Sequence, residues 1–185
     1  MRTGLRIRDA TAADSSGIAR VHVDAWRSTY AGIVPQGVLA ALSYAHREAN
    51  WLRLLDALPS GHCVFVAENV GDRIVGFSHG GPLRAGPSTY AGELYAIYIL
   101  DAYQRRGLGR ALALQVVRRF LRQNVRSMLV WVLADNPARR FYEALGAQLV
   151  QTQKITIGGA PLDEVAYGWP DISRIEQGQH PAGDT

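Results

Sequence analysis

A chain of 185 residues fits one domain with a substantial core, and its 48% hydrophobic and 19% charged content is that of a soluble globular protein. The net charge is a modest +4, and no apolar run is long enough to cross a membrane or to form the core of a signal peptide. Cys63 is the only cysteine, so no disulfide forms within the chain, which suits a reducing cytoplasm. The five histidines are scattered without metal-ligand spacing, so we expect no metal site.

The first half of the chain predicts a strand, three helices and a pair of strands. Alternating or continuous apolar runs indicate the strands, and apolar residues spaced three or four apart indicate the helices. In chain order we expect a strand at residues 5–8, a helix from Asp14 or Ser15 to about Gly32, a helix after Pro35, a helix at 44–58, and strands at 63–68 and 73–79. Residues 80–92 are rich in glycine and proline and predict a loop.

The centre of the chain predicts a strand, a glycine turn and a long helix. Residues 94–100 are apolar and aromatic, as a buried strand should be. Residues 104–109 include two glycines, which permit positive φ and close approach of the backbone. From Leu108 to Gln123 apolar residues recur every fourth position, so the helix should lie on a sheet.

The rest of the chain predicts three strands and one short helix. Residues 128–133 form a continuous apolar strand, which should be parallel to the central strand because a helix connects the two. Asn136 and Pro137 are typical of a helix cap and a first helical position, so a short helix to Leu145 follows. Residues 149–157 and 162–169 predict a hairpin.

This order of elements predicts an α/β protein with a mixed sheet and helices on both faces. There is no internal repeat and no linker long enough to divide the chain. We therefore expect a single domain over residues 1–170. Residues 171–185 are polar with glycine and proline, so they predict a disordered tail.

The start of the central helix has the features of an anion site. A helix N-terminus carries unpaired N–H groups and a positive charge of about half an electron, and a glycine turn lets those groups point at one phosphate. Arg105, Arg106 and Arg110 add charge there, and no acidic residue occurs between Arg105 and Arg126. The pattern indicates a pyrophosphate site, and the alternative is a helix with a solvated arginine face.

The basic turn does not match the motifs of other phosphate-binding proteins. The chain has no Gly-x-x-x-x-Gly-Lys-Ser/Thr string, and Leu112 stands where a dinucleotide fingerprint needs its third glycine. A nucleic-acid-binding protein that uses the arginine face is a further alternative, but no helix-turn-helix pairing, zinc spacing or RNA-binding signature supports it.

Two motifs resemble the GNAT superfamily of N-acetyltransferases. Residues 104–109, Gln-Arg-Arg-Gly-Leu-Gly, are similar to the family's Gln/Arg-x-x-Gly-x-Gly/Ala signature between a strand and a helix. Residues 136–147 are similar to its second segment, in which an asparagine precedes an alanine, a tyrosine and a glycine–aromatic pair, with Ala147 in place of the aromatic. The resemblance is close over residues 94–147 and holds only in outline on either side.

The resemblance implies a GNAT fold, in which adjacent central strands splay apart at the glycine turn. Acyl-CoA enters that gap, and its pantetheine arm pairs with exposed backbone groups as a strand would. It also implies an acetyl-CoA-dependent N-acetyltransferase, with acetyl-CoA as co-substrate and direct attack of a primary amine on the thioester. The alternative is a non-catalytic acyl-CoA-binding or regulatory module.

The resemblance also implies a set of cofactor-binding residues. Backbone groups of the central strand should face the pantetheine arm and the thioester, and those of the glycine turn should hold the pyrophosphate. Asn136 should contact the pantetheine arm, and its alternative role is a plain helix cap. The expected residues are Ile97, Tyr98, Ile99, Gln104, Arg105, Arg106, Gly107, Leu108, Gly109, Arg110 and Asn136.

Two residues are predicted to be catalytic by the same resemblance. Tyr142 matches the family tyrosine near the CoA sulfur, where a phenol can protonate the departing thiolate; the alternative is a core aromatic. Glu93 lies eleven positions before Gln104, where some family members place the glutamate that deprotonates the amine. The alternative for Glu93 is an exposed glutamate at the start of a strand.

The acceptor is expected to be a small-molecule or peptide amine, with no nucleic-acid or membrane partner and with the chain as a monomer or homodimer. Aromatic side chains suit an amine through cation–π contact. The candidates from the first helices and the loop before Glu93 are Trp26, Tyr30, Tyr44, His79 and Tyr90, each of which could instead belong to the core.

Overall fold

The computed structural model of the chain describes residues 4–177, which contain seven strands and six α-helices. The elements are β1 (Arg6–Asp9), α1 (Ser15–Thr29), α2 (Gln36–Ala40), α3 (Tyr44–Asp56), β2 (Cys63–Glu68), β3 (Ile74–Pro82), β4 (Gly92–Ile99), α4 (Leu108–Arg122), β5 (Met128–Leu133), α5 (Arg139–Ala144), β6 (Gln148–Ile157), β7 (Ala160–Trp169) and α6 (Ser173–Gln177). The type and order of the elements predicted up to residue 169 are confirmed. No helix within residues 4–177 is long and apolar enough to cross a membrane.

The strands form one mixed sheet in the order β1-β2-β3-β4-β5-β7-β6. Neighbouring strands are antiparallel except β4 and β5, whose parallel arrangement confirms the prediction. β4 and β5 pair at only two positions, Gly92 with Met128 and Glu93 with Leu129. Beyond these pairs β4 stays with β3 as far as Ile99, and β5 stays with β7 as far as Leu133. The two central strands therefore splay apart and leave a wedge in the sheet, as the resemblance implied.

Helices cover both faces of the sheet. On one face α4 buries Leu112, Val116 and Phe120 against alternate residues of β2 and β5, and this cluster is the larger core. On the other face α1 and α3 bury Ile18 and Trp51 in a second core with Phe77 and its neighbours. The alternation of β2 between these two cores explains why all of its residues are buried.

Helix α4 lies close to the sheet where two strands carry glycine. A Cβ atom on Gly80 would lie 2.6 Å from Val116 Cγ1, and one on Gly92 would lie 2.6 Å from Phe120 Cε2. Interiors are close-packed, so a larger residue at either position would displace the helix. These glycines therefore set the distance between α4 and the strands that form the wedge.

The glycine-rich stretch at 80–92 is a shorter loop than predicted. β3 continues to Pro82, because Gly80 pairs with Leu94 and Gly81 pairs with Glu93. Glycine is a turn signal in a sequence, but here it permits close packing within a strand. The register shifts between His79 and Gly80, and this bulge leaves Tyr95 as the extra residue of β4.

The first seven residues of the predicted tail are ordered. Ile172 and Ile175 are buried in the larger core, and α6 runs from Ser173 to Gln177. The segment is polar overall, but its two isoleucines are three positions apart, a spacing that places them on one face of a helical turn. The rest of the predicted tail, residues 178–185, lies outside the described residues.

Candidate active site

The wedge between β4 and β5 is the opening of a cavity of about 780 Å³. Residues 96–99 of β4 and 130–132 of β5 form its two sides. The turn before α4 also lines the cavity. The remaining lining residues come from the C-terminal end of α1 and from α5 with the segment before it. The cavity thus joins the glycine turn to the space between the splayed strands.

The glycine turn presents the N-terminus of α4 to this cavity. Gly107 has φ of +78° and Arg105 has φ of +57°, so the backbone turns twice through the left-handed region. The Ala111 N–H donates to the Gly107 carbonyl at 3.1 Å. The amides that precede Ala111 belong to the first turn, where an α-helix has no internal acceptor. They can bind an anion, as the sequence predicted.

Gly109 lies against α5. A Cβ atom at this position would lie 3.2 Å from Phe141 Cε2, so a side chain here would press on the helix that carries Tyr142. The glycine therefore lets the start of α4 and the start of α5 share one side of the cavity.

The charged and polar side chains of the turn divide into two groups. Arg105 and Arg110 line the cavity, and Arg110 also donates to the Ile175 carbonyl at 3.1 Å. Arg106 instead lies over the Tyr103 ring, 5.9 Å from its centroid, and the Leu108 side chain is buried in the core. Leu108 could therefore serve an anion only through its backbone N–H. Gln104 lines the cavity and closes the turn.

Gln104 holds the turn against β4. Its side-chain amide donates to the Ile99 carbonyl at 3.0 Å and to Asp101 at 3.1 Å. One of the backbone groups predicted to face a pantetheine arm is therefore already occupied. Ile97 and Tyr98 lie beside Ile99 on the cavity, where β5 no longer pairs with β4.

Asn136 is buried at the cavity, 4% exposed, just before α5. Its side-chain oxygen accepts from the Ala138 N–H at 2.9 Å. The helix begins two residues later than predicted, at Arg139, so Asn136 caps the preceding turn instead of the helix itself. With its oxygen bound to the backbone, the side chain keeps its NH₂ group for the cavity.

Tyr142 lies on α5 at the meeting point of the cavity and the core. Its ring makes edge contacts with Phe141 and Trp169, with centroids 5.3 and 6.2 Å apart. Burial raises the pKa of the Tyr142 phenol, and the nearby Tyr30 raises it further. The hydroxyl therefore stays protonated at neutral pH and can act as a proton donor.

The structure does not bring Glu93 to the residues that line the cavity. Its carboxylate is 1% exposed and lies where β4 still pairs with β5. Glu93 Oε2 accepts from the Arg84 backbone N–H at 3.0 Å, and Oε1 pairs with the Arg84 guanidinium. Arg84 lies in the loop after β3 and was not predicted, because no local pattern connects it to Glu93.

The aromatic candidates also divide. Tyr30 lines the cavity, and Trp26 lies behind it with its indole N–H donating to Tyr98 Oη at 2.9 Å. Tyr44 is exposed and donates to Asp24, and the Tyr90 ring lies over Gly168 of β7.

His79 is the fifth aromatic candidate, and it is half-buried beside the core instead of in the cavity lining. It packs among the rings of Trp51, His62 and Tyr95. Burial, helped by the charges of His62 and Arg84, lowers the pKa of His79 to about 3.

The aromatic residues of the cavity lining that were missed include Tyr95 and Trp131. Tyr95 is the bulge residue of β4, and Trp131 comes from β5, where its indole N–H donates to the Ala85 carbonyl at 3.0 Å. A bulge changes which face a side chain occupies, so simple alternation along the strand could not place Tyr95. For Trp131, alternation along β5 was a usable signal. Within residues 4–177 no three His, Cys, Asp or Glu side chains are placed to hold a metal ion.

Comparison with known sequences agrees with this geometry. A family model described as FR47-like protein matches residues 87–155. The chain is 40% identical over 171 residues to YuaI, an uncharacterised N-acetyltransferase of Bacillus subtilis (strain 168), and the match covers 92% of this chain and 95% of that protein. It is 33% identical over 93 residues to a mycothiol acetyltransferase of Saccharomonospora viridis, over 48% of this chain and 30% of that protein.

Solved structures agree in fold. The ribosomal-protein-alanine N-acetyltransferase of Brucella melitensis has a TM-score of 0.69 at 25% identity, covering 89% of this chain and 98% of that one. PaiA N-acetyltransferase of Thermoplasma acidophilum, in complex with coenzyme A, has a TM-score of 0.66 at 19% identity, over 86% and 97% of the two chains. The split sheet and these relatives define an enzyme of the acetyltransferase class. The chain belongs to the GNAT superfamily of N-acetyltransferases.

Proposed function

We propose that the protein transfers the acetyl group of acetyl-CoA to a primary amine, which attacks the thioester directly. The observation that carries this proposal is the single cavity that joins the amides at the start of α4 to Asn136 and Tyr142. Such a cavity suits a long, narrow co-substrate that has a diphosphate at one end and a thioester at the other. Coenzyme A in the related PaiA structure supports the same co-substrate.

The chain offers each part of that co-substrate a matching group. The backbone N–H groups from Arg105 to Arg110 and the Arg105 and Arg110 guanidiniums would hold the diphosphate. Exposed backbone of Ile97 and Tyr98 and the Asn136 amide would hold the pantetheine arm. Gln104 would act through the backbone, since it fixes the Ile99 carbonyl and the turn.

The reaction needs little beyond positioning and one proton donor. The amine nitrogen forms a bond to the carbonyl carbon, and the C–S bond breaks with its electron pair going to sulfur. Tyr142, whose phenol is protonated at neutral pH, would give its proton to that thiolate, and the proton that the nitrogen loses would restore the phenol. Holding the amine and the thioester together in the wedge would supply much of the rate.

Glu93 as the base that takes the amine proton stays a prediction. Its burial and its two bonds to Arg84 favour a structural role at the closed end of the wedge. A Glu93→Gln variant separates the two roles. If Glu93 is the base, the rate of acetyl transfer falls while the free energy of unfolding is kept; if it is structural, the free energy of unfolding falls and the rate per folded molecule is kept.

The proposed function is tested by binding and by turnover. Calorimetry should show acetyl-CoA binding at about tens of micromolar, a range common for such metabolites. A screen of primary amines that detects free thiol should identify an acceptor. Tyr142→Phe should lower the rate of acetyl transfer and keep acetyl-CoA binding. Tyr167→Phe is the matched control, because that hydroxyl donates to Glu143 outside the cavity lining. Absence of acetyl-CoA binding by the unaltered protein would refute the proposal.

A further inference from the structure

Tyr30 places a phenol in the cavity through a network that the reaction above does not use. The residue ends α1, where its N–H donates to the Trp26 carbonyl at 3.0 Å, and its side chain is 8% exposed. Its hydroxyl oxygen lies 3.5 Å from that of Tyr98. The Tyr98 hydroxyl in turn accepts from the Trp26 indole N–H at 2.9 Å.

The Tyr30 proton is available to a bound group, because 3.5 Å is long for a hydrogen bond between two hydroxyls. An indole N–H only donates, so Tyr98 accepts from Trp26, and either hydroxyl can be the donor in the contact between Tyr98 and Tyr30. Burial raises the pKa of both phenols, so both hydroxyls keep their protons at neutral pH, although the contact with Tyr98 lowers the pKa of Tyr30 in part. Asn136, whose oxygen is bound to the Ala138 N–H, also lowers the pKa of Tyr30 by hydrogen bonding.

The surroundings of Tyr30 locate that free proton. Its hydroxyl oxygen has Tyr98 on one side and is close to Asn136 and Tyr142, and all four residues line the cavity. Under the proposed function, on which this inference rests, backbone and amide groups of Tyr98 and Asn136 hold the end of the pantetheine arm and Tyr142 faces the sulfur. The position that these three residues surround is that of the acetyl group.

We propose that the Tyr30 hydroxyl donates a hydrogen bond to the carbonyl oxygen of the bound acetyl group. When the amine nitrogen bonds to the carbonyl carbon, the C=O π pair moves onto this oxygen, where the Tyr30 proton stabilises the charge. The pair returns to carbon as the C–S bond breaks, Tyr142 protonates the sulfur, and the proton that the nitrogen loses restores the Tyr142 phenol. Tyr30 keeps its proton throughout, so it is a catalytic residue that stabilises charge and transfers nothing.

The test measures the carbonyl itself. Acetyl-CoA labelled with ¹³C at the carbonyl is bound to the unaltered protein, to Tyr30→Phe and to Tyr44→Phe, and the carbonyl stretch is read by isotope-edited infrared spectroscopy. A donated hydrogen bond lowers the stretching frequency, so Tyr30→Phe should raise it and Tyr44→Phe should not. Tyr44 is the matched control, because its hydroxyl donates to Asp24 outside the cavity lining. With an acceptor in hand, Tyr30→Phe should lower kcat by about 10²- to 10³-fold at unchanged KM for acetyl-CoA.

The outcomes are separable. If Tyr30→Phe binds labelled acetyl-CoA with the same carbonyl frequency as the unaltered protein, the inference is overturned. A raised KM for the amine with an unmoved carbonyl overturns it too, since Tyr30 would then contact the acceptor. Should Tyr30→Phe fail to fold, Tyr98→Phe removes the hydroxyl that contacts Tyr30 and should move the frequency by a smaller amount; an unmoved carbonyl there again overturns the inference. If the unaltered protein binds no acetyl-CoA, the proposed function itself has failed.

Discussion

Gly107 has φ of +78° and no atom within 4 Å of a Cβ placed on it, so its requirement is conformational and not steric. Gly159, in the turn between β6 and β7, has φ of +82° and the same open surroundings. Gly107→Ala and Gly159→Ala should therefore each cost about 1–2 kcal/mol of unfolding free energy, measured by urea denaturation. Only Gly107→Ala should weaken acetyl-CoA binding in calorimetry, because only that turn aims amides at the cavity. Equal affinity in the two variants would mean that the turn does not bind the diphosphate.

His22 belongs to a group of rings that includes Trp51 and Tyr98, and it accepts from the Trp51 indole N–H at 3.2 Å. Burial, helped by the charge of Arg47, lowers the pKa of His22 to about 3. Below the ordinary value of 6.5 the unfolded chain binds a proton that the folded chain refuses. The unfolding free energy should thus fall as the pH drops from 6.5 toward 3, by up to about 1.4 kcal/mol per pH unit for each such histidine.

Denaturation curves at pH 7 and pH 5 check this slope. His79 adds a second contribution of the same sign, because its pKa is also about 3. His22→Asn should remove one share of the slope, while His46→Asn, at an exposed position on α3, should leave it unchanged. A stability that is flat between pH 7 and pH 5 would contradict the burial of both rings.

At the scale of the elements, α6 is the part of the fold that its composition concealed. Ile175 is 3% exposed in the larger core, and its carbonyl accepts from Arg110 of α4. Ile175→Ala should cost about 2–5 kcal/mol of unfolding free energy, as is usual for a buried isoleucine. Arg174→Ala, at the exposed neighbouring position, should change stability by about 0.5 kcal/mol or less. Thermal or urea unfolding of the two variants measures the difference, and equal stabilities would show that α6 is not part of the cooperative core.

The elements themselves were predictable because their signals are local. Continuous apolar residues identified β2 and β5, apolar residues at every fourth position identified α4, and Gly107 identified the turn. The site depended on contacts between distant residues, which no local pattern records. Tyr30 and Tyr98 are 68 positions apart, and Arg84 reaches Glu93 from a loop. The resemblance to a family pointed to Tyr142 and Asn136 as site residues. It could not show that Arg84 donates hydrogen bonds to the Glu93 carboxylate.

At the scale of the whole molecule, acetyl-CoA should bind across the split in the sheet and stabilise both sides of it. At a concentration one hundred times the dissociation constant, a ligand that binds only the folded state adds about 2.7 kcal/mol to the unfolding free energy. Hydrogen exchange should show which amides gain protection: those of residues 97–99 and 107–110 should slow, and those paired between β6 and β7 should not. Uniform protection, or none near the glycine turn, would place the ligand elsewhere.

The two residue pairs that join β4 to β5 have a mechanical consequence. Strands β1–β4 form one part of the sheet and β5–β7 form the other. The strand pairing between the two parts is limited to a short connection at Gly92 and Glu93. The buried Glu93 carboxylate lies at this connection, where it pairs with the exposed Arg84 guanidinium. A change in the angle between β4 and β5 at this connection separates the strands much more at Ile99 than at Glu93. Small changes in packing around Glu93 would therefore alter the distance between the groups that face each other across the wedge.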